Sequence, residues 1–96
     1  MRRGTTPTHT FTLPFDIATV KKLRITYEQD GFKLVKEEYD AQGNKISVKL
    51  TQSETLSFDC EKPARAQLKV RTQDDNVHVS NIVTLMIGEC IDGGEI

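Results

Sequence analysis

Five basic side chains fall at strand spacing on two separate segments: Lys22 and Arg24 on one, Arg65, Lys69 and Arg71 on the other. Residues two apart in a β-strand share a face, so each segment presents its cations to one side. If the two segments share a sheet, their outer faces join into a basic stripe suited to an anionic partner. No aromatic residue is interleaved there, so the stacking platform of a single-strand nucleic-acid binder is missing. A plain solvated sheet face is the competing reading.

Cys60 and Cys90 form the second constellation. If residues 64–72 and 77–87 make a hairpin about Asp74-Asp75, Val70 faces Val79 and Thr72 faces Val77. A one-residue bulge near Ser80-Asn81 keeps Asn81 out of the core and sets Leu68 against Ile82. Cys60 then comes level with Cys90. The pair is expected to be close: reduced thiols if the protein stays cytosolic, a disulfide if it reaches a virion or an extracellular space.

Other chemistry is poorly served. His9 and His78 are the only histidines, and neither a C-x-x-C nor an H-x-x-x-H spacing occurs. Asp74-Asp75-Asn76 lacks the remaining oxygen ligands of a calcium loop and suits a turn instead. Glu37 and Glu38 point to opposite faces of a strand, so they cannot serve one substrate as an acid/base pair. There is no G-x-S-x-G, no P-loop and no G-x-G-x-x-G. No catalysis and no cofactor are expected, and a small-molecule ligand is not indicated.

The elements that must position these groups follow from composition. The 96 residues hold 13 basic and 14 acidic side chains, a net charge of −1. So even a balance argues against a dedicated nucleic-acid binder. The charge is unevenly placed, however. Residues 1–26 carry five bases and one acid, while residues 86–96 carry three acids and no base, which suits end-to-end contacts. No apolar run approaches the ~20 residues of a membrane span. No apolar h-region follows Met1-Arg2-Arg3, so synthesis in a cytoplasm without a signal peptide is expected.

Eleven Thr, seven Ile and seven Val against four Ala make a strand composition. Phe11, Leu13 and Phe15 alternate with polar or Pro residues. So do Leu23, Ile25 and Tyr27; Ile46, Val48 and Leu50; and Ala66, Leu68 and Val70. This period of two marks strands with one wet face. Further strands are expected over Phe32–Tyr39 and Val77–Ile87. Asp30-Gly31 is a tight-hairpin signal, and Asp40–Asn44 and Asp74–Asn76 supply further turns. Thr51-Gln52-Ser53-Glu54 has capping-box spacing, which places a single helical turn over Thr51–Thr55 as a crossover between sheets.

The fold expected is therefore all-β, an immunoglobulin-like antiparallel sandwich of six to seven strands with one short helical turn. Residues 1–10 form an N-terminal arm, 11–88 the sandwich and 89–96 an acidic tail. Phe11, Leu23, Ile25, Ile46, Val48, Leu50, Leu68 and Val70 are the expected core. In the last strand Val83, Leu85 and Ile87 load one face while Ile82 and Met86 load the other. That second face needs a cover, either the chain's own arm with Arg2 and Arg3 or another molecule.

The opening Arg2-Arg3-Gly4-Thr5-Thr6-Pro7-Thr8-His9-Thr10-Phe11, the following Leu13-Pro14-Phe15-Asp16, the central Leu50–Thr55 and Gln67-Leu68-Lys69-Val70-Arg71 carry a resemblance. Together they resemble small uncharacterised proteins encoded among structural genes of tailed phages and prophages of Gram-positive gut bacteria. The resemblance implies a virion or virion-assembly role and supplies no catalytic residues. A non-enzymatic module that self-associates or docks on other virion components is thus the leading expectation. A small domain binding carbohydrate or an anionic polymer is the alternative, weakened by the absence of Trp.

Overall fold

The computed structural model describes the whole chain, Met1–Ile96. Its elements are β1 (Thr8–Thr12), β2 (Val20–Gln29), β3 (Phe32–Lys36), β4 (Asp40–Gln42), β5 (Lys45–Lys49), α1 (Gln52–Leu56), β6 (Ala64–Thr72), β7 (Val77–Val79) and β8 (Val83–Leu85). They build two antiparallel sheets. The smaller has the order β1-β5-β4; the larger runs β3-β2-β6, with β7 and β8 both paired to the far edge of β6. No helix is long and apolar enough to cross a membrane.

Local chemistry explains the connections. Asp30 and Gly31 both adopt positive φ (46° and 88°) and close a two-residue hairpin between Gln29 and Phe32. Gly43, at φ 63°, closes the β4–β5 hairpin in two residues, tighter than the Asp40–Asn44 loop expected. Thr51 caps α1: its hydroxyl accepts from the Glu54 N–H at 3.2 Å, and the Glu54 carboxylate accepts from the Thr51 N–H at 2.7 Å. α1 carries the chain from the smaller sheet to the larger, the crossover expected of it.

The core lies between the sheets. Leu23, Ile25, Ile46, Val48, Leu50, Leu68 and Val70 are buried in it, as their alternation requires. Phe11 is only half-buried, because β1 is an edge strand with nothing paired beyond it. Tyr27, Phe58, Ala64, Ala66, Leu13 and Ile87 complete the core.

Three expectations are corrected. The strand expected over Phe32–Tyr39 ends at Lys36 and the chain changes sheet before β4, and the one expected over Val77–Ile87 divides into β7 and β8, so eight strands replace the six or seven expected. The arm over residues 1–10 is part of the fold. Thr8–Thr10 belong to β1, and the first residues pair with the chain near Gly88. Met1 donates its ammonium to Met86 O (2.9 Å), and Arg3 N–H donates to Gly88 O (3.0 Å). Hydrogen bonds to its backbone and from the Arg3 side chain hold this segment, and Met1 alone among its residues 1–6 adds an apolar side chain packed against the core. That is why hydrophobic content did not reveal it.

The third correction concerns register. Val70 pairs with His78, not Val79, and Arg71 pairs with Val77. The cause is the loop. Thr72 N–H donates to Asn76 O (2.9 Å), Asp75 N–H donates to Thr72 O (2.9 Å), and Asp74 accepts from the Thr72 hydroxyl. This closure pulls β7 one residue tighter than expected, and a one-residue slip exchanges the faces of a strand. Val77 and Val79 therefore point outward, at 45% and 55% exposure. The irregular stretch Ser80–Ile82 adds the residue back, so that Val83 meets Ala66 and Leu85 meets Ala64. The bulge falls where it was expected; the register on either side is one residue lower.

Candidate functional site

β2 and β6 are adjacent, and their register juxtaposes the cations. Lys22 stands opposite Arg71, and Arg24 opposite Lys69. Directly opposed residues lie roughly 5 Å apart at Cβ, and residues two apart along a strand roughly 7 Å. Four positive heads thus mark a small rectangle around an open depression of about 270 Å³, lined by Lys22, Arg24, Lys69, Arg71 and Val77. The sheet neutralises this cluster weakly. Glu37 stands 3.8 Å from Lys22 and Asp75 3.8 Å from Arg71, both pairs well exposed, while Arg24 and Lys69 have no carboxylate within ion-pair reach. Arg65, the fifth expected member, is set apart. It is bound to the Glu28 carboxylate at 2.8 Å.

Apolar side chains border the stripe. The slipped register sets Val77 beside Arg71 and Val79 beside Lys69 on the outer face. A second depression on that face brings Val35 and Ile82 next to Arg24, Lys69 and Val79. None of the side chains lining either depression is aromatic. Such a surface can bind negative charge together with aliphatic groups. It offers no stacking platform.

The remaining expected residues divide. Ile82 and Met86 stay exposed at 51% and 72%: the first residues pair with the backbone beside Met86 and leave both side chains uncovered. Arg2 is exposed and donates to Glu89 O. Arg3 is an internal strut and not a contact residue. Its guanidinium donates to Leu56 O at 3.0 Å, and its Nε is buried without a partner. Cys60 and Cys90 are free thiols. Cys60 packs on the core margin, whereas Cys90 adjoins Gly4 and donates to Asp92 O at 3.0 Å. With the register one residue lower, continuing the β6–β8 ladder would set Cys60 level with Glu89, one residue from Cys90. β6 begins only at Ala64, so the ladder does not extend to Cys60.

Two buried polar constellations escaped the sequence reading. His9 Nδ1 lies 2.7 Å from Tyr27 Oη between the two sheets. Burial, followed by the N-terminal ammonium, holds the His9 pKa below its ordinary value; burial, followed by the Glu54 charge, pushes Tyr27 up. Gln29 is buried and fixes the loop before β6: its amide donates to Asp59 O (2.7 Å) and Lys62 O (2.8 Å) and accepts from Asp59 N–H (2.6 Å). His9 alternates inward with Phe11, a signal that was present but read as part of an arm. No three His, Cys, Asp or Glu side chains converge as a metal site would require.

No protein-family model, curated protein or solved structure matches this chain.

Proposed function

We propose that the protein is a non-enzymatic docking module, an immunoglobulin-like domain that serves as a component of a tailed-phage or prophage particle. The observation that carries the docking reading is the outer face of β2, β6 and β7. Two like-charged pairs face each other there, one weakly neutralised and the other not at all, and three valines and an isoleucine are left exposed around them. Opposed like charges destabilise a sheet, and exposed aliphatic groups gain nothing from water. A partner presenting acidic and apolar groups relieves both costs. The phage assignment is supported by the resemblance of Arg2–Phe11, Leu13–Asp16 and Leu50–Thr55 to virion-cluster proteins.

An anionic polymer as ligand is favoured by the charge alone and leaves the valines unexplained. Carbohydrate lacks its usual aromatic platform. The reading is tested by mass spectrometry of particles purified after induction of a lysogen that carries this gene. The chain is expected in the particles at a fixed ratio to the capsid protein. Recovery only in the soluble fraction would overturn the virion role.

A further inference from the structure

We infer that the basic stripe docks the acidic segment 89–96 of a second copy of this chain, so that copies join head to tail. The inference rests on the docking reading above and names its partner. The segment carries Glu89, Asp92 and Glu95 with no base among them, and none of the three is ion-paired within its own molecule. Interspersed with them, Ile91 and Ile96 are fully exposed. Its chemistry is the complement of the stripe: carboxylates for Lys22, Arg24, Lys69 and Arg71, and aliphatic groups for Val77 and Val79.

Position makes the contact intermolecular. β6 runs from Ala64, beside Leu85 and the start of the segment, to Arg71, beside Val77 and the stripe. Those seven steps span roughly 23 Å at the rise of a β-strand. The segment is also held away from the stripe, because Ile96 N–H donates to Gln52 Oε1 at 2.9 Å beside α1. Stripe and segment are different surfaces at opposite ends of one sheet. A contact between them is heterologous unless the same two copies reciprocate it, and unreciprocated contacts of this kind build rings or open chains. A nucleic-acid strand fits less well, since the stripe has no ring to stack on and its valines would stay wet.

The test is sedimentation velocity of the full chain over a concentration series at about 0.1 M and about 1 M salt, where the Debye length falls from ~10 Å to ~3 Å. Wild type is expected to form species that grow beyond the dimer with concentration and dissociate at the higher salt. R24E/K69E reverses the stripe, and E89K/D92K/E95K reverses the segment. Each variant alone should associate at least tenfold more weakly, and an equimolar mixture should recover association, because the reversed stripe then meets the reversed segment and the unchanged stripe meets the unchanged segment. A wild-type monomer at every concentration overturns the inference. So does association that survives reversal of the segment, or an oligonucleotide that binds the stripe while the chain stays monomeric. The segment variant alters only exposed residues, so its result decides the matter even if R24E/K69E fails to fold. Failure here together with the chain's presence in purified particles would leave the docking reading intact with a different partner.

Discussion

Half-buried His9 of β1 and buried Tyr27 of β2 meet at 2.7 Å and tie the two sheets together by a side-chain hydrogen bond. Burial, followed by the N-terminal ammonium, holds the His9 pKa below its ordinary value of 6.5. On acidification the unfolded chain takes up this proton first, so the stability that His9 confers is complete above pH 6.5. It is lost as the pH falls through the lowered folded value. The urea midpoint should therefore drop between about pH 7.5 and pH 5.5, and His9→Gln should flatten that slope. Glu54 adds a second loss at lower pH. Burial opposes its ionisation, but the Thr51 N–H and the Lys36 ammonium outweigh that and hold its carboxyl below 4.5. An unchanged midpoint across the upper window would show that His9 titrates normally.

Gln29 should be worth more than an ordinary polar residue. Gln29→Ala strips partners from two backbone carbonyls and one N–H in the partly buried loop before β6. Leaving such groups unsatisfied costs on the order of 1–3 kcal/mol. Gln29→Glu should be comparably harmful, because its carboxylate cannot donate to Asp59 O or Lys62 O. Thermal or chemical unfolding measures both.

The stripe predicts a gain of stability from a loss of charge. Lys69 faces Arg24 directly, and relieving a like-charge pair in a sheet is worth roughly 0.2–1 kcal/mol. Lys69→Thr, which places a β-branched residue on the strand, should raise the unfolding midpoint while weakening association. A destabilised Lys69→Thr would mean that the side chain makes a stabilising contact in the free protein.

The register of β7 can be read from two substitutions. Leu68→Ala should cost about 2–5 kcal/mol, as usual for a buried leucine. Val79→Ser should stay within roughly 0.5 kcal/mol, as for an exposed position. Had Val79 faced Val70, the second change would also be a core lesion. Comparable losses at both positions would restore the looser register.

Much of this molecule could be read directly from residue order. Alternation placed Leu23, Ile25, Ile46, Val48, Leu50, Leu68 and Val70 inside, because a strand with one wet face must repeat every two residues. Asp30-Gly31 and the Thr51–Glu54 box acted through contacts a few residues long, so their outcomes needed nothing from the rest of the fold. The same alternation put Lys22, Arg24, Lys69 and Arg71 on outer faces.

Tertiary structure decided what those faces meet. Only strand pairing could make Lys22 oppose Arg71 and Arg24 oppose Lys69, since pairing joins residues 49 and 45 positions apart. Only the hydrogen bonds among Thr72, Asp74, Asp75 and Asn76 could choose a register one residue tighter, turning Val77 and Val79 outward beside the cations. The pairing of Arg2 with Gly88 likewise rests on backbone groups that every residue carries, and the Arg3 guanidinium is anchored on a backbone carbonyl, that of Leu56. Side-chain patterns report which face of a strand is buried. They carry little information about backbone partners, and in this protein the backbone partners determine where the positive charge gathers.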